Sequence, residues 1–338
     1  MLQKVKTRLG IFNLSKLGVL ALFFVCINLF SCDENKKASV TKSTGKINSL
    51  SIVISDQLWN GEVGDSLRKK FAAPVDGLTQ EEPLFTITQL PVKILEGYKT
   101  ISRNVIIIKR EEKNYYKFEK NEFAKPQNVV HISGNNVGEI IEHIEKNGDS
   151  IVDLFKQTEI LKSQEIINAS LLDDKKIQDK FKISLKIPST YKYVLQKRNF
   201  IWVKKEILSG NTSVVIYKVP FRTILKNDDI VTNIIEMRDS FGGKYIKGKK
   251  PNTKMITEES YSPYFMNMIL DNKRTYETKG TWELKGDFMS GSFINYAIMN
   301  REKREFVVIE GFCYAPSNDK RDLMHELEAI IKSVKFIK

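Results

Sequence analysis

The chain has 338 residues, 41% of them apolar and 10% aromatic, with a formal net charge of +13. That apolar content supports a buried core and excludes a wholly disordered chain, and about 300 residues accommodate one large or two ordinary domains. Its 3 cysteines, at positions 26, 32 and 313, exclude a disulfide-stapled scaffold.

The first segment carries Lys4, Lys6, Arg8 and Lys16 and no acidic residue before Asp33. Leu17 to Phe30 follows, 14 residues interrupted only by Asn28. A membrane-spanning helix needs about 20 apolar residues, so this run reads as the hydrophobic part of a signal peptide. Leu29-Phe30-Ser31-Cys32 resembles a bacterial lipobox, which implies cleavage before Cys32 and lipidation of that cysteine. On this reading residues 1–31 are a lipoprotein signal peptide and residues 32–46 a flexible polar tether. The body is then held by its lipid at the cell envelope, on the periplasmic face of the inner or outer membrane or at the cell surface. Removing the signal's four cations leaves 50 of the 54 Lys+Arg against 41 Asp+Glu. Outside the cytoplasm such an excess suits an anionic membrane or polysaccharide surface better than nucleic acid, but the lysines are spread along the chain and read foremost as a solvated surface, and no nucleic-acid partner is expected.

In the body, Ser49 to Ser55 is β-rich and predicts a strand. Asp56 is placed to cap a helix carrying Trp59, Val63, Leu67 and Phe71 at spacings of four. Pro74-Val75-Asp76-Gly77 marks a turn. Leu84 to Leu90, Val105 to Ile108 and Asn128 to Ser133 read as strands. From Asn136 to Leu172, Val137, Ile140, Ile141, Ile144, Ile151, Leu154, Phe155 and Leu161 recur at threes and fours. That is one buried helical stripe, with Gly148 a candidate bend. Asp173 to Lys176 is polar and separates an N-terminal domain, 47–172, from a C-terminal domain, 177–338.

Phe181 to Ile187 alternates as a strand stopped by Pro188. Phe200 to Ile207 and Thr212 to Val219 predict a hairpin through Gly210-Asn211. Asn227 to Phe241 predicts a helix ended by Gly242-Gly243. Several strands follow between Lys254 and Tyr314, and Asp319 to Val334 closes the chain as a helix. The fold class is α+β: two mainly antiparallel sheet units with flanking helices, joined by a long helical segment.

Five groups of residues carry a resemblance. They are Trp59-x4-Gly64-x3-Arg68; the run Pro74-Val-Asp-Gly-Leu-x-Gln-x-Glu-Pro-Leu-Phe85; Ser102-Arg103-Asn104; Gly280-x-Trp282-Glu283; and Glu310-Gly-Phe-x-Tyr-Ala-Pro316. The last leads into Lys320-Arg321-Asp322 and Leu327 to Ile330. Together they resemble a family of Bacteroidetes lipoproteins known as domain of unknown function 4837, across nearly all of the mature chain. The Pro74–Phe85 run is the most specific part. Met289 to Phe293 departs from the Gly-Gly-Pro-Phe pattern of that family. The resemblance implies an envelope lipoprotein of unassigned activity and supplies no catalytic residues.

Gly243-x4-Gly248-Lys249-Lys250 is close to a phosphate loop, but Lys250 stands where a Ser or Thr must bind magnesium, and the segment follows a helix. It reads as a solvated lysine loop. His131, His143 and His325 are far apart and lack partners at ligand spacing, so neither a metal nor a cofactor is expected. Cys313, in an apolar run without a nearby histidine, reads as a buried thiol. No Gly-x-Ser-x-Gly elbow occurs, and no catalytic residue is assigned.

The best polar cluster is the acidic loop with Asp76, Gln80 and Glu82, flanked by Arg68 and Arg103. An arginine there could form a bidentate pair with a carboxylate that locks the loop, and such a structural network is favoured over a ligand-binding loop because structural ion pairs are common. Trp59 and Trp282 could line a groove for glycan or peptide, or pack in the core. These seven residues are the candidate ligand-binding set. The leading expectation is a non-catalytic binding or assembly module of the envelope, with a protein or glycan partner. The alternative is an envelope hydrolase with an unrecognised site, since catalytic groups assemble in space rather than in sequence.

Overall fold

The structure is a computed structural model that describes residues 41–97 and 100–337. The expected signal peptide, Cys32 and most of the expected tether lie outside the described residues. No described helix is long and apolar enough to cross a membrane. The packed chain extends back to Lys42, before the expected start at 47. Lys42 bridges Lys125 and Thr44 bridges Ser102.

From Lys42 on, the described residues form one compact unit built on two large sheets and a two-stranded one. The first uses β1 (Ser49–Val53), β2 (Thr86–Leu90), β3 (Asn104–Arg110), β4 (Tyr115–Lys120) and β5 (Asn128–Gly134), in the order β2-β1-β3-β5-β4. Here pairing departs from the antiparallel expectation: β1 with β2, β1 with β3 and β3 with β5 are parallel, and β4 with β5 is antiparallel. Parallel neighbours require crossover connections, and parallel strands bury both faces. That is why Val105 to Ile108 reads as an unbroken apolar run, with all four residues buried.

The crossover from β1 carries two helices, α1 (Asp56–Trp59) and α2 (Glu62–Phe71), rather than the single helix predicted. Ser55, not Asp56, caps the first. The chain folds back so tightly that a Cβ on Gly64 would lie 1.8 Å from the Trp59 carbonyl oxygen. A one-turn α3 (Ile94–Gly97) follows β2.

The long helix α4 (Val137–Ile167) is capped by Asn136, and Glu139 returns to the Asn135 amide. It runs unbroken through Gly148. That glycine admits α2 instead: a Cβ there would lie 2.8 Å from Cγ of Lys70. Ile140, Ile144, Ile151 and Phe155 pack on the first sheet, whereas Ile160 and Ile167 belong to the core under the second. One helical stripe thus joins the two sheet units.

Next come α5 (Lys175–Phe181) and β6 (Ile183–Ser184), so most of the strand expected from Phe181 is absent. Lys182 takes a left-handed conformation (φ 56°) that ends the helix and leaves only two residues to pair. The second sheet contains β7 (Lys192–Lys197), β8 (Phe200–Ile207) and β9 (Gly210–Pro220), then β10 (Lys254–Thr257), β11 (Tyr264–Leu270), β12 (Lys273–Lys285), β13 (Ser290–Asn300) and β14 (Glu305–Tyr314). Its pairings are antiparallel, in the order β10-β12-β13-β14-β9-β8-β7. β11 lies along the same edge of β12 as β10, Tyr264 opposite Lys279 and Leu270 opposite Lys273.

Between β9 and β10 run α6 (Phe221–Ile224) and α7 (Ile230–Tyr245). Gly242-Gly243 does not end α7. Gly242 lets Met255 approach, a Cβ there falling 3.1 Å from the Met255 carbonyl. Helix α7 covers one face of the sheet, with Ile234 and Met237 against Tyr217, Phe293 and Val308. The closing helix α8 (Arg321–Ile331) covers the other, with Leu327 and Ile330 against Ile216, Ile294 and Ile309. β15 (Lys335–Phe336) pairs with β6.

Candidate functional site

The loop from Pro74 to Phe85 is fixed at three places. The Val75 amide donates to the Glu82 carbonyl (2.9 Å), and Leu84 donates to Ala73 (2.8 Å), closing the loop on itself. The Glu82 carboxylate accepts the backbone N–H of Lys320 (2.7 Å) and of Arg321 (2.8 Å). It therefore satisfies orphan donors at the N-terminus of α8, where a negative charge is also favoured by the helix dipole. Arg321 returns a guanidinium to the Pro83 carbonyl (3.1 Å) and Thr86 Oγ1 (3.0 Å). Third, Gly77 adopts φ +79° and lies directly on β12, where a Cβ would fall 3.0 Å from both the Gly280 nitrogen and the Lys279 Cβ. The Pro74–Phe85 and Gly280-x-Trp282 segments, about two hundred residues apart, thus meet at two glycines.

The seven candidate residues do not form one cluster. Arg103, 2% exposed, makes the anticipated bidentate pair, but with Glu159 of α4 rather than with the loop (Nε–Oε1 and Nη2–Oε2, both 2.9 Å). Its remaining donors go to the carbonyls of Gly45 and Lys46. Glu159 also accepts the Asn48 amide (2.9 Å) and Asn104 Nδ2 (2.8 Å). Arg68 pairs with Asp65 (2.7 Å) and stacks 4.7 Å over the Trp59 ring. The carboxylate of Glu82 is occupied as described. Trp282 is buried, its indole N–H donating to the Cys313 carbonyl (3.2 Å) and its ring edge-on to Phe312. What the fold brings around the loop is Asp76, Gln80 and the backbone at Trp282.

Gln80 lines a cleft of about 620 Å³ between the loop and residues 258–264, over Gly280, Thr281 and Trp282. Glu81, Glu258, Tyr261, Ser262 and Tyr264 face it. Tyr264 also opens a second cleft of about 510 Å³, bounded by Met266, Met268 and Ile269 of β11 and by Ile160 and Leu161 of α4. Asp76 lines this second part. Neither Tyr261 nor the β11 residues are in the candidate set read from the sequence. The available signal is Tyr264-Phe-Met-Asn-Met-Ile-Leu270, a strand without a single charge.

Buried charge lies beneath the second cleft. Lys279 pairs with Glu277 (3.1 Å), Lys332 with Glu328 (2.5 Å), and the Tyr296 hydroxyl donates to Glu277. Burial pushes the Glu328 carboxyl up, but Lys279, Lys332 and Lys156 outweigh it and hold that group well below the usual carboxylate range. Burial likewise lowers the Lys279 amine, and Glu328 and Glu277 reverse the sign, so it is raised. Beside Glu258, burial followed by the hydrogen bond and charge of Glu258 raises the Glu283 carboxyl.

On the opposite face of the sheet Arg238 pairs with Glu310 (3.0 Å) and lies 3.7 Å over the Phe293 ring. The Cys313 thiol is buried and pushed up to about 11 by that burial, so it is inert at neutral pH. His325 Nε2 lies 3.1 Å from Ser163 Oγ in a separate cleft of about 450 Å³. Among the described residues no group of three or more His, Cys, Asp or Glu side chains is placed to hold a metal ion.

Residues 170–333 match the family described as domain of unknown function (DUF4837). Residues 43–168 match a second, also described as domain of unknown function (DUF8532). The DUF4837 match is therefore narrower than the resemblance implied, and the Pro74–Phe85 run falls in the DUF8532 match. The two matched segments are in contact: Glu82 of the second caps α8 of the first. No curated protein matches the chain significantly. Among solved structures, the Saccharomyces cerevisiae Ran-binding protein Mog1p is 8% identical over 46% of this chain and 91% of that chain, with a TM-score of 0.30. Human StAR-related lipid transfer protein 5 is 7% identical over 52% and 95%, with a TM-score of 0.23. Neither likeness is close enough to inform function.

Proposed function

We propose that the protein is a lipid-anchored, non-catalytic binding or assembly module of the cell envelope, and that its binding surface is the cleft between loop 74–81 and residues 258–264. One observation carries the second part. Gln80, Glu81 and Tyr261 are exposed on walls that are themselves pinned to α8 and β12. Ionisable groups elsewhere, among them Arg103, Glu82 and Glu328, hold the fold together instead. A pre-formed concave surface with polar groups on a rigid frame is what ligand recognition requires. The anchor rests on the lipobox-like run ending at Cys32.

Two experiments test the two parts separately. Mass spectrometry of the N-terminal peptide should find diacylglyceryl on Cys32; an unprocessed N-terminus removes the anchor. Binding of the full chain to arrays of envelope glycans and synthetic peptides should be weakened by Tyr261→Ala and by Glu258→Gln. Binding that neither substitution alters places the surface elsewhere.

A second reading, an envelope hydrolase, has the Ser163–His325 contact in its favour. Against it, Ser163 sits within the continuous helix α4, 7% exposed, rather than on an exposed turn. A fluorophosphonate probe that leaves Ser163 unlabelled disposes of that reading.

A further inference from the structure

The two clefts share Tyr264 and together make a longer channel beside β11, a strand with a free edge. β11 pairs with β12, and no other strand pairs with it among the described residues. Natural edge strands are usually blunted by charge, proline or a bulge, because unpaired N–H and C=O groups template another strand. β11 has none of these. Tyr264, Met266 and Ile269 are instead 54%, 58% and 66% exposed. The second cleft lies between β11 and Ile160 and Leu161 of α4, and its charged lining is mixed, with Lys156, Lys279 and Lys332 beside Asp76, Asp153, Glu277 and Glu328.

The channel's other end has a definite charge. In a chain of net charge +13, the charged side chains lining the first cleft are Glu81 and Glu258, with no Lys, Arg or His among its lining residues. Tyr261 presents a 68% exposed ring there, a surface on which an ammonium or guanidinium group can rest. Thr281 lines the same cleft, 7% exposed as a residue, and its Oγ1 makes no hydrogen bond to the described protein atoms. Buried hydroxyls are ordinarily satisfied.

We propose that the channel receives an extended, basic segment of a partner polypeptide. The segment adds to β11 as a further strand, seats alternate apolar side chains against Met266, Met268 and Leu161, and places a lysine or arginine among Glu81, Glu258 and Tyr261. Main-chain pairing supplies affinity and the two side-chain pockets supply selectivity, as in other strand-addition complexes. This inference rests on the cleft being the binding surface and goes further by naming the ligand as polypeptide, extended and cationic.

The test uses the full chain with ¹³C-methyl methionine. The probes are ten-residue peptides alternating threonine and valine, ended at either terminus by two lysines or by two glutamates. A lysine-ended peptide is expected to shift the Met266 and Met268 methyl resonances while the buried Met237 and Met255 stay put. Its glutamate-ended counterpart should bind at least about tenfold more weakly, the loss expected for one charge-assisted contact. Glu81→Gln with Glu258→Gln should remove that preference without moving the thermal midpoint.

Equal affinity for lysine and glutamate peptides overturns the proposal, as does a Met266 signal that no peptide moves. A neutral N-acetylglucosamine tetramer that binds, is lost on Tyr261→Ala and leaves Met266 unmoved also overturns it, while the cleft remains the binding surface. Failure of every probe to bind the full chain in titration calorimetry removes both readings together.

Discussion

Glu159→Gln is the substitution whose cost the geometry defines best. Glu159 is fully buried and Arg103 is 2% exposed, so solvent cannot replace the lost partner. The carboxylate accepts four bonds, from Arg103 Nε and Nη2, the Asn48 amide and Asn104 Nδ2. The amide keeps one acceptor oxygen and turns an NH₂ toward groups that are already donors. Removing one partner of a buried ion pair costs about 3–5 kcal/mol, mainly because the remaining charge stays buried and uncompensated. With an unfolding entropy of about 2.1 cal/mol/K per residue, about 300 cooperative residues give about 0.6 kcal/mol/K, so the midpoint should fall by about 5–8 °C. Calorimetry and urea titration of wild type, Glu159→Gln, Arg103→Met and the double variant would check this. The double variant should cost less than the two single variants added, with a coupling of at least about 1 kcal/mol. A midpoint loss below about 2 °C for Glu159→Gln, or strict additivity, would refute the reasoning.

Glu82→Gln weakens the cap on α8 and should cost about 0.5–2 kcal/mol, with faster hydrogen exchange at Val75 and Leu84; unchanged exchange there would detach the loop from α8. Gly77→Ala forces a Cβ into a left-handed position already against Gly280 and should destabilise by about 1–3 kcal/mol in denaturant titration, whereas a neutral result would mean the loop stands off the strand. Because the folded-state Glu328 carboxyl is depressed, its contribution is complete above the ordinary glutamate value of 4.5 and is lost as pH falls below it. Wild-type stability should accordingly drop faster than that of Glu328→Gln below that pH, by up to about 1.4 kcal/mol per pH unit; parallel curves would contradict the assignment. Cys313, buried and raised to about 11, should resist maleimide at pH 8 until the chain unfolds, and rapid native labelling would place it at the surface.

Much of the fold is legible locally. The threes and fours from Val137 to Phe155 mark α4, and the periodicity from Leu323 to Ile331 marks α8, because a helix can bury only one stripe. Phe181 to Ile187 misleads because alternation over so few residues does not separate the last turn of a helix from a strand. Tyr115 to Lys120 gives no clear signal at all, since β4 is a half-exposed edge strand whose charges blur its alternation. For the site, the chemistry is anticipated but not the partners. Arg103 does form a bidentate pair, yet its carboxylate lies 56 residues away, on a helix where a glutamate ordinarily reads as surface.

Composition and periodicity alone settle that this chain has apolar stripes to bury, where helices and most strands form, and which residues carry charge. Those properties follow from side-chain chemistry and the fixed repeat of helix and strand. Chain path decides the rest: the parallel pairing of the first sheet, Gly77 against Gly280, Glu82 on α8, and the open edge of β11. Hydrogen-bond partners and cleft walls are set by distances through space, which no local spacing encodes.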